Sequence, residues 1–133
     1  LHCREAMDDM IPYLIQSFKR LNSTFQGVFH CFSGDDDKLR KVLDMGFYVG
    51  FDGNISYPEN ELLRQMVKAT PINRLLLETD APYLTPEPYR GQPSEPAYIP
   101  LIAKEVASIK NTDLKNIEQQ TTANALALFS LSP

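Results

Sequence analysis

The chain predicts an α/β fold of parallel strands joined by helical crossovers, and three observations predict it. Short apolar runs alternate with stretches of helical periodicity along most of the 133 residues. The run Leu75 to Leu77 shows no polar alternation, the pattern of a strand buried on both faces. Several apolar runs also end abruptly in polar residues followed by glycine or proline, at Ser33-Gly34, Asp52-Gly53 and Asp80-Ala81-Pro82, where the chain must leave the strand. A content of 43% hydrophobic residues at this length suits one domain over residues 1–133 with a real core.

Taken in order, Met7, Met10, Ile11, Leu14, Ile15, Phe18 and Leu21 follow helical spacing, with Lys19 and Arg20 near the end of the stretch. Proline is tolerated in a first helical turn, so Pro12 sets the expected start of the regular helix near Asp9. Val28 to Phe32 then reads as a buried strand delivering His30 near its end. Asp35 to Asp37 open a second helix as capping and dipole-complementing acids, with Ser33 a further capping candidate. Leu39, Val42 and Leu43 make its apolar stripe, and Gly46 ends it. A third strand is expected over Phe47 to Phe51, and a third helix over Glu59 to Ala69, stopped before Pro71. Arg74 to Leu84 holds the fourth strand and its acidic exit. A proline-rich loop from Ala81 to Glu95 follows, long enough to suggest function. Pro96 suits the first turn of the next helix, and a last helix is expected from near Asn111-Thr112 through Phe129.

In a parallel sheet all strands share one edge at their C-terminal ends, so His2, His30 and Asp80 are expected to converge. Two imidazoles and a carboxylate are a common ligand set for zinc or a similar ion, which lowers the pKa of bound water to about 7 and thereby favours hydrolysis. Period-two alternation puts Glu78 on the same side as Asp80. A net charge of −4 argues against a broad grip on duplex DNA, while leaving open nucleic-acid ends held by a few arginines and metal ions. Cys3 and Cys31 lack metal-pair spacing and read as reduced packing residues. No apolar run approaches a membrane span and no leader pattern opens the chain, so a soluble cytoplasmic protein with no membrane partner is expected.

The segments His2-Cys3-Arg4-Glu5-Ala6, His30-Cys31-Phe32-Ser33-Gly34, Gly50-Phe51-Asp52-Gly53-Asn54 and Leu76 to Leu84 are similar, in order and spacing, to those of the TatD-like metal-dependent hydrolases. Arg90-Gly91, Glu95-Pro96, Thr121, Thr122, Asn124 and Phe129 extend the resemblance over essentially the whole chain. It implies a TIM barrel, a site for two divalent ions (zinc, manganese or magnesium) and phosphodiesterase chemistry on DNA or nucleotides, commonly deoxyribonuclease trimming of ends. Within it, His2, His30 and Asp80 resemble the ligands on the fifth, sixth and eighth strands. Asp80 is expected to help activate the attacking water; Glu78 is expected either to support the ligands or to be satisfied structurally. Arg4 and Arg90 are candidate phosphate contacts, with surface ion pairing the alternative for each.

The resemblance also calls for a His-x-His pair on a first strand and a bridging glutamate on a fourth, and this sequence begins after both. A complete TIM barrel takes around 250 residues, so the chain is expected to be a C-terminal half-barrel, inactive alone. Two rival readings remain at this stage. One is a non-catalytic half-barrel that self-associates through unpaired strand edges; the other is a related metal-dependent amide or ester hydrolase.

Overall fold

The computed structural model describes residues 1–3, 5–21 and 26–132. Eight regular elements follow in order: α1 (Met7–Leu21), β1 (Val28–Phe29), α2 (Asp36–Asp44), β2 (Tyr48–Phe51), α3 (Glu61–Ala69), β3 (Leu75–Leu77), α4 (Ile99–Lys110) and α5 (Leu114–Phe129). The strands form one parallel sheet in the order β1-β2-β3, pairing Phe29 with Val49 and Gly50 with Leu76. Beyond β1, His2 makes a parallel bridge to His30, with the His30 N–H donating to the Leu1 carbonyl at 2.9 Å. Spatial neighbours are therefore sequence neighbours, and α1, α2 and α3 fill the successive crossovers.

This order follows from where the apolar residues fall. Every residue of β2 is buried, and Val49, Leu75, Val42, Val67, Val106 and Ile117 are wholly inaccessible. A strand buried on both faces requires cover above and below, so it sits in the middle of the sheet. At the start of β3, the Asn124 amide of α5 donates to the Ile72 and Leu75 carbonyls, both at 2.8 Å, satisfying backbone groups that no strand pairs.

The acids of α2 cap it as expected, but the cap itself is Asp35, whose side chain accepts from the Lys38 N–H at 2.9 Å. Asp36 and Asp37 pair with Arg40 and Lys41 one turn on, and Gly46 leaves the helix at φ +84°. Several boundaries differ from expectation: β1 ends at Phe29 instead of running to Phe32, with only the His30 bridge beyond it, and Pro96 opens a 3-10 turn ahead of α4. Helix α1 begins at Met7 rather than near Asp9, leaving Pro12 inside the helix. Met7 and Ile11 are buried one turn apart and hold the earlier turn down, and the carbonyl that Pro12 cannot serve belongs to Asp8, an exposed residue. Helix α3 begins at Glu61 rather than Glu59, because the Arg64 guanidinium takes the carbonyls of Ile55, Tyr57 and Pro58 and fixes the preceding turn outside the helix.

The loop after β3 is a fixed wrap. Its backbone closes on itself from Ser94 N–H to the Pro82 carbonyl at 2.9 Å, and Thr85, buried, donates to the Gln92 carbonyl. Tyr57 and Ser56 tie it to the end of β2 through the Thr85 carbonyl and the Glu87 N–H. The peptide bonds before Pro82 and Pro88 are cis.

Candidate metal centre

The shared strand edge is built in two layers. In the inner layer, the Glu78 carboxylate lies beneath the ends of β1 and β2. One oxygen accepts from the Cys31 N–H at 2.5 Å and pairs with His30 Nδ1 at 2.8 Å. Cys31 presents that N–H from a left-handed backbone, φ +50°, a conformation sparsely populated without glycine. Space for the carboxylate exists because residue 50 on β2 has no side chain: a Cβ on Gly50 would stand 2.2 Å from a Glu78 oxygen. Beside it Asp52, 1% exposed, has both carboxylate oxygens buried without a hydrogen-bond partner among the described residues. The Cys31 thiol, a weak donor, and the charge on His30 favour its ionised form.

The outer layer faces solvent. His30 Nε2 lies 3.4 Å from an Asp80 oxygen, and the His2 and His30 rings are 5.9 Å apart, centroid to centroid. These groups line a cavity of about 710 Å³ together with Cys31, Ser33, Asn54, Tyr83 and Leu84. The structure thus brings His2, His30 and Asp80 to one place.

The electrostatics are dominated by crowded acids. Burial pushes the Glu78 and Asp52 carboxyls above the usual carboxylate range, and it pushes the Cys31 thiol strongly up, with the Asp52 charge adding to it. Burial pulls His30 down. The Glu78 and Asp52 charges, with hydrogen bonds from Glu78 and Asp80, outweigh that effect and leave its pKa raised. Among the described residues no lysine or arginine lines the cavity, and the surrounding carboxylates favour the protonated form of His30.

A divalent cation fits such a place on two counts. An imidazole whose Nδ1 is held by a carboxylate is fixed in the tautomer and orientation that free Nε2 for a ligand. The orphaned carboxylate of Asp52 also leaves a buried negative charge that a nearby cation offsets. Ligand atoms of His30, Asp52 and Glu78 also lie within 4.8 Å of one another. Glu78, however, already spends an oxygen on two donors, the Cys31 N–H and His30 Nδ1.

Arg90 is placed elsewhere. Its guanidinium forms a two-pronged ion pair with Glu59 and stacks 3.9 Å from the Tyr57 ring centre, and it is not among the residues lining the cavity. Arg4 lies outside the described residues. Ser33, expected as a capping residue, instead lines the cavity, the cap having gone to Asp35. Asp52 was not singled out from sequence, although an acid directly after a wholly buried strand, at the same edge as His30, was a readable signal.

Comparison with known proteins places this arrangement. A family model described as TatD related DNase matches residues 1–130. The chain belongs to that family. It is 34% identical over 132 residues to the uncharacterized metal-dependent hydrolase YabD of Bacillus subtilis, covering 99% of this chain and 51% of the relative. It is 38% identical over 136 residues to the 3'-5' ssDNA/RNA exonuclease TatD of Klebsiella pneumoniae, covering 98% of this chain and 51% of the relative. The crystal structure of YJJV, a TatD homologue from Escherichia coli K12, superposes with a TM-score of 0.88 at 29% identity, covering 99% of this chain and 49% of that one. The chain therefore spans about half the length of the curated relatives it matches. The α/β fold and membership of a family of metal-dependent hydrolases stand on these matches together. Among the described residues no helix is long and apolar enough to cross a membrane.

Proposed function

We propose that residues 1–133 form one α/β unit, the C-terminal half of a TIM barrel comprising about strands five to eight with their helices, and that the whole protein hydrolyses phosphodiester bonds in single-stranded DNA from an end. The carrying observation is the convergence of His2, His30 and Asp80 on one cavity, with Glu78 holding His30 from behind. Support for the substrate class comes from family membership and from the relative named as an exonuclease.

In this reading His2, His30 and Asp80 hold divalent ions, two in the complete site. Zinc and manganese suit imidazole with carboxylate, magnesium less well. When bound, such ions polarise a phosphoryl oxygen and lower the pKa of water. The chain's own residues do the rest. Glu78 fixes the His30 ring by accepting the hydrogen bond of its Nδ1–H, and Asp80 offers a carboxylate oxygen at the cavity wall that orients the attacking water and accepts its proton. The chain holds only two histidines, so the His-x-His pair of a second metal position is not among these residues.

We therefore expect these 133 residues alone to release little or no nucleotide from single-stranded DNA. The test is Mn²⁺-dependent nucleotide release by the purified chain and by Asp80→Ala. Robust turnover abolished by Asp80→Ala would overturn the half-site reading, while keeping the phosphodiesterase assignment.

A further inference from the structure

We infer that Tyr83 is the platform on which a nucleobase of the substrate stacks. The inference rests on the phosphodiester reading and adds to it how the strand is gripped. Tyr83 lines the cavity with His30 and Asp80, yet it is 68% exposed. Packing does not explain this. Phe29, Phe32, Phe47 and Phe51 bury their rings in the core, whereas the Tyr83 ring stands at the rim.

Its backbone, by contrast, is fixed. The Tyr83 N–H donates to the Asp80 carbonyl at 2.7 Å, tying the ring's position to the carboxylate three residues before it. The preceding Pro82 carbonyl accepts from Ser94 at 2.9 Å. On the other side Gly53 lies against the loop so closely that a Cβ there would stand 2.3 Å from the Leu84 carbonyl oxygen. A solvent-facing aromatic ring on a fixed backbone is a partly pre-organised surface, with only its side-chain torsions left to order when a flat ligand covers it.

The cavity's charge points the same way. Among the described residues, no lysine or arginine lines it; its neutral donors are Ser33 and Asn54, and the chain carries a net charge of −4. From the described lining, affinity for a polynucleotide does not come from cationic side chains on phosphates. Base stacking on an aromatic ring supplies it without reading sequence, at roughly tenfold or more per base. It also selects single strands, since a base paired within a duplex has no free face to offer.

The test is binding of a phosphorothioate-linked single-stranded deoxyoligonucleotide carrying 2-aminopurine, titrated with the chain in Mn²⁺. The protein has no tryptophan, so the probe's fluorescence is read without interference. Wild type and Tyr83→Phe should quench the probe and bind alike. Tyr83→Ala should lose the quenching and bind roughly tenfold more weakly, and an abasic oligonucleotide should bind wild type as weakly as the normal one binds Tyr83→Ala. Equal affinity and quenching for wild type and Tyr83→Ala would overturn the stacking role while leaving the phosphodiester reading intact. No binding of any oligonucleotide by wild type would likewise overturn the stacking role.

Discussion

Glu78 carries a burden at the residue scale that its own position does not reveal. Its oxygen serves both the Cys31 N–H and His30 Nδ1, and it has room to do so only because residue 50 is glycine. Gly50→Ala should push the carboxylate off both donors. The side chain is flexible enough to move, so the chain should still fold, but a buried N–H loses its acceptor at a cost of about 1–3 kcal/mol. Glu78→Ala removes the same bonds and vacates the same space. The two changes should then be strongly non-additive in urea unfolding, the double variant being scarcely less stable than Glu78→Ala alone; simple addition would show that Gly50 does not act through Glu78. Here lies the limit of what sequence displays. His2, His30 and Asp80 were legible because strand-end position depends on local pattern alone. Glu78's partners depend on a missing Cβ one strand away and on a left-handed Cys31, neither of which a period-two argument contains.

Among the elements, helix existence was readable and helix starts were not, for an identifiable reason. Pro12 argues locally for a helix that begins near Asp9, yet burial of Met7 and Ile11 against the core outweighs one carbonyl left without its helical donor at Asp8. Arg64 likewise sets the start of α3 from inside the helix, by claiming three carbonyls of the turn before it. Tertiary contacts also fix the far end of the sheet. Asn124, 4% exposed, spans from α5 to β3 by donating to Ile72 and Leu75, while its own oxygen accepts from Gln120. Asn124→Ala should strand two buried carbonyls and cost about 2–3 kcal/mol in chemical denaturation. Asn124→Asp, nearly identical in shape but without the amide donors, should cost at least as much; a near-neutral Asp variant would show that Asn124 acts by filling space.

For the whole molecule, the arrangement of strands explains why one sheet edge gathers the candidate site. Parallel strands in sequence order place each strand's exit beside the next, so His2, His30, Asp52, Glu78 and Asp80 meet at one edge without a contribution from elsewhere in the fold. The resulting edge is crowded with carboxyls: among the described residues both Asp52 oxygens are buried without a hydrogen-bond partner, and burial raises the pKa of both Asp52 and Glu78. The folded chain therefore carries a penalty that the unfolded chain does not, and a cation bound in the cavity should relieve it. Because a ligand that binds only the folded state stabilises it by mass action, Mn²⁺ or Zn²⁺ at a hundredfold excess over its Kd should add about 2.7 kcal/mol. For a chain of this size that corresponds to a rise in Tm of about 10 °C, reversed by EDTA. His30→Ala and Asp80→Ala should each abolish most of the rise, whereas Glu59→Gln, which disturbs only the exposed pair with Arg90, should keep it. A rise that persists in both His30→Ala and Asp80→Ala would locate the ion away from this edge and break the link between the strand order and the chemistry.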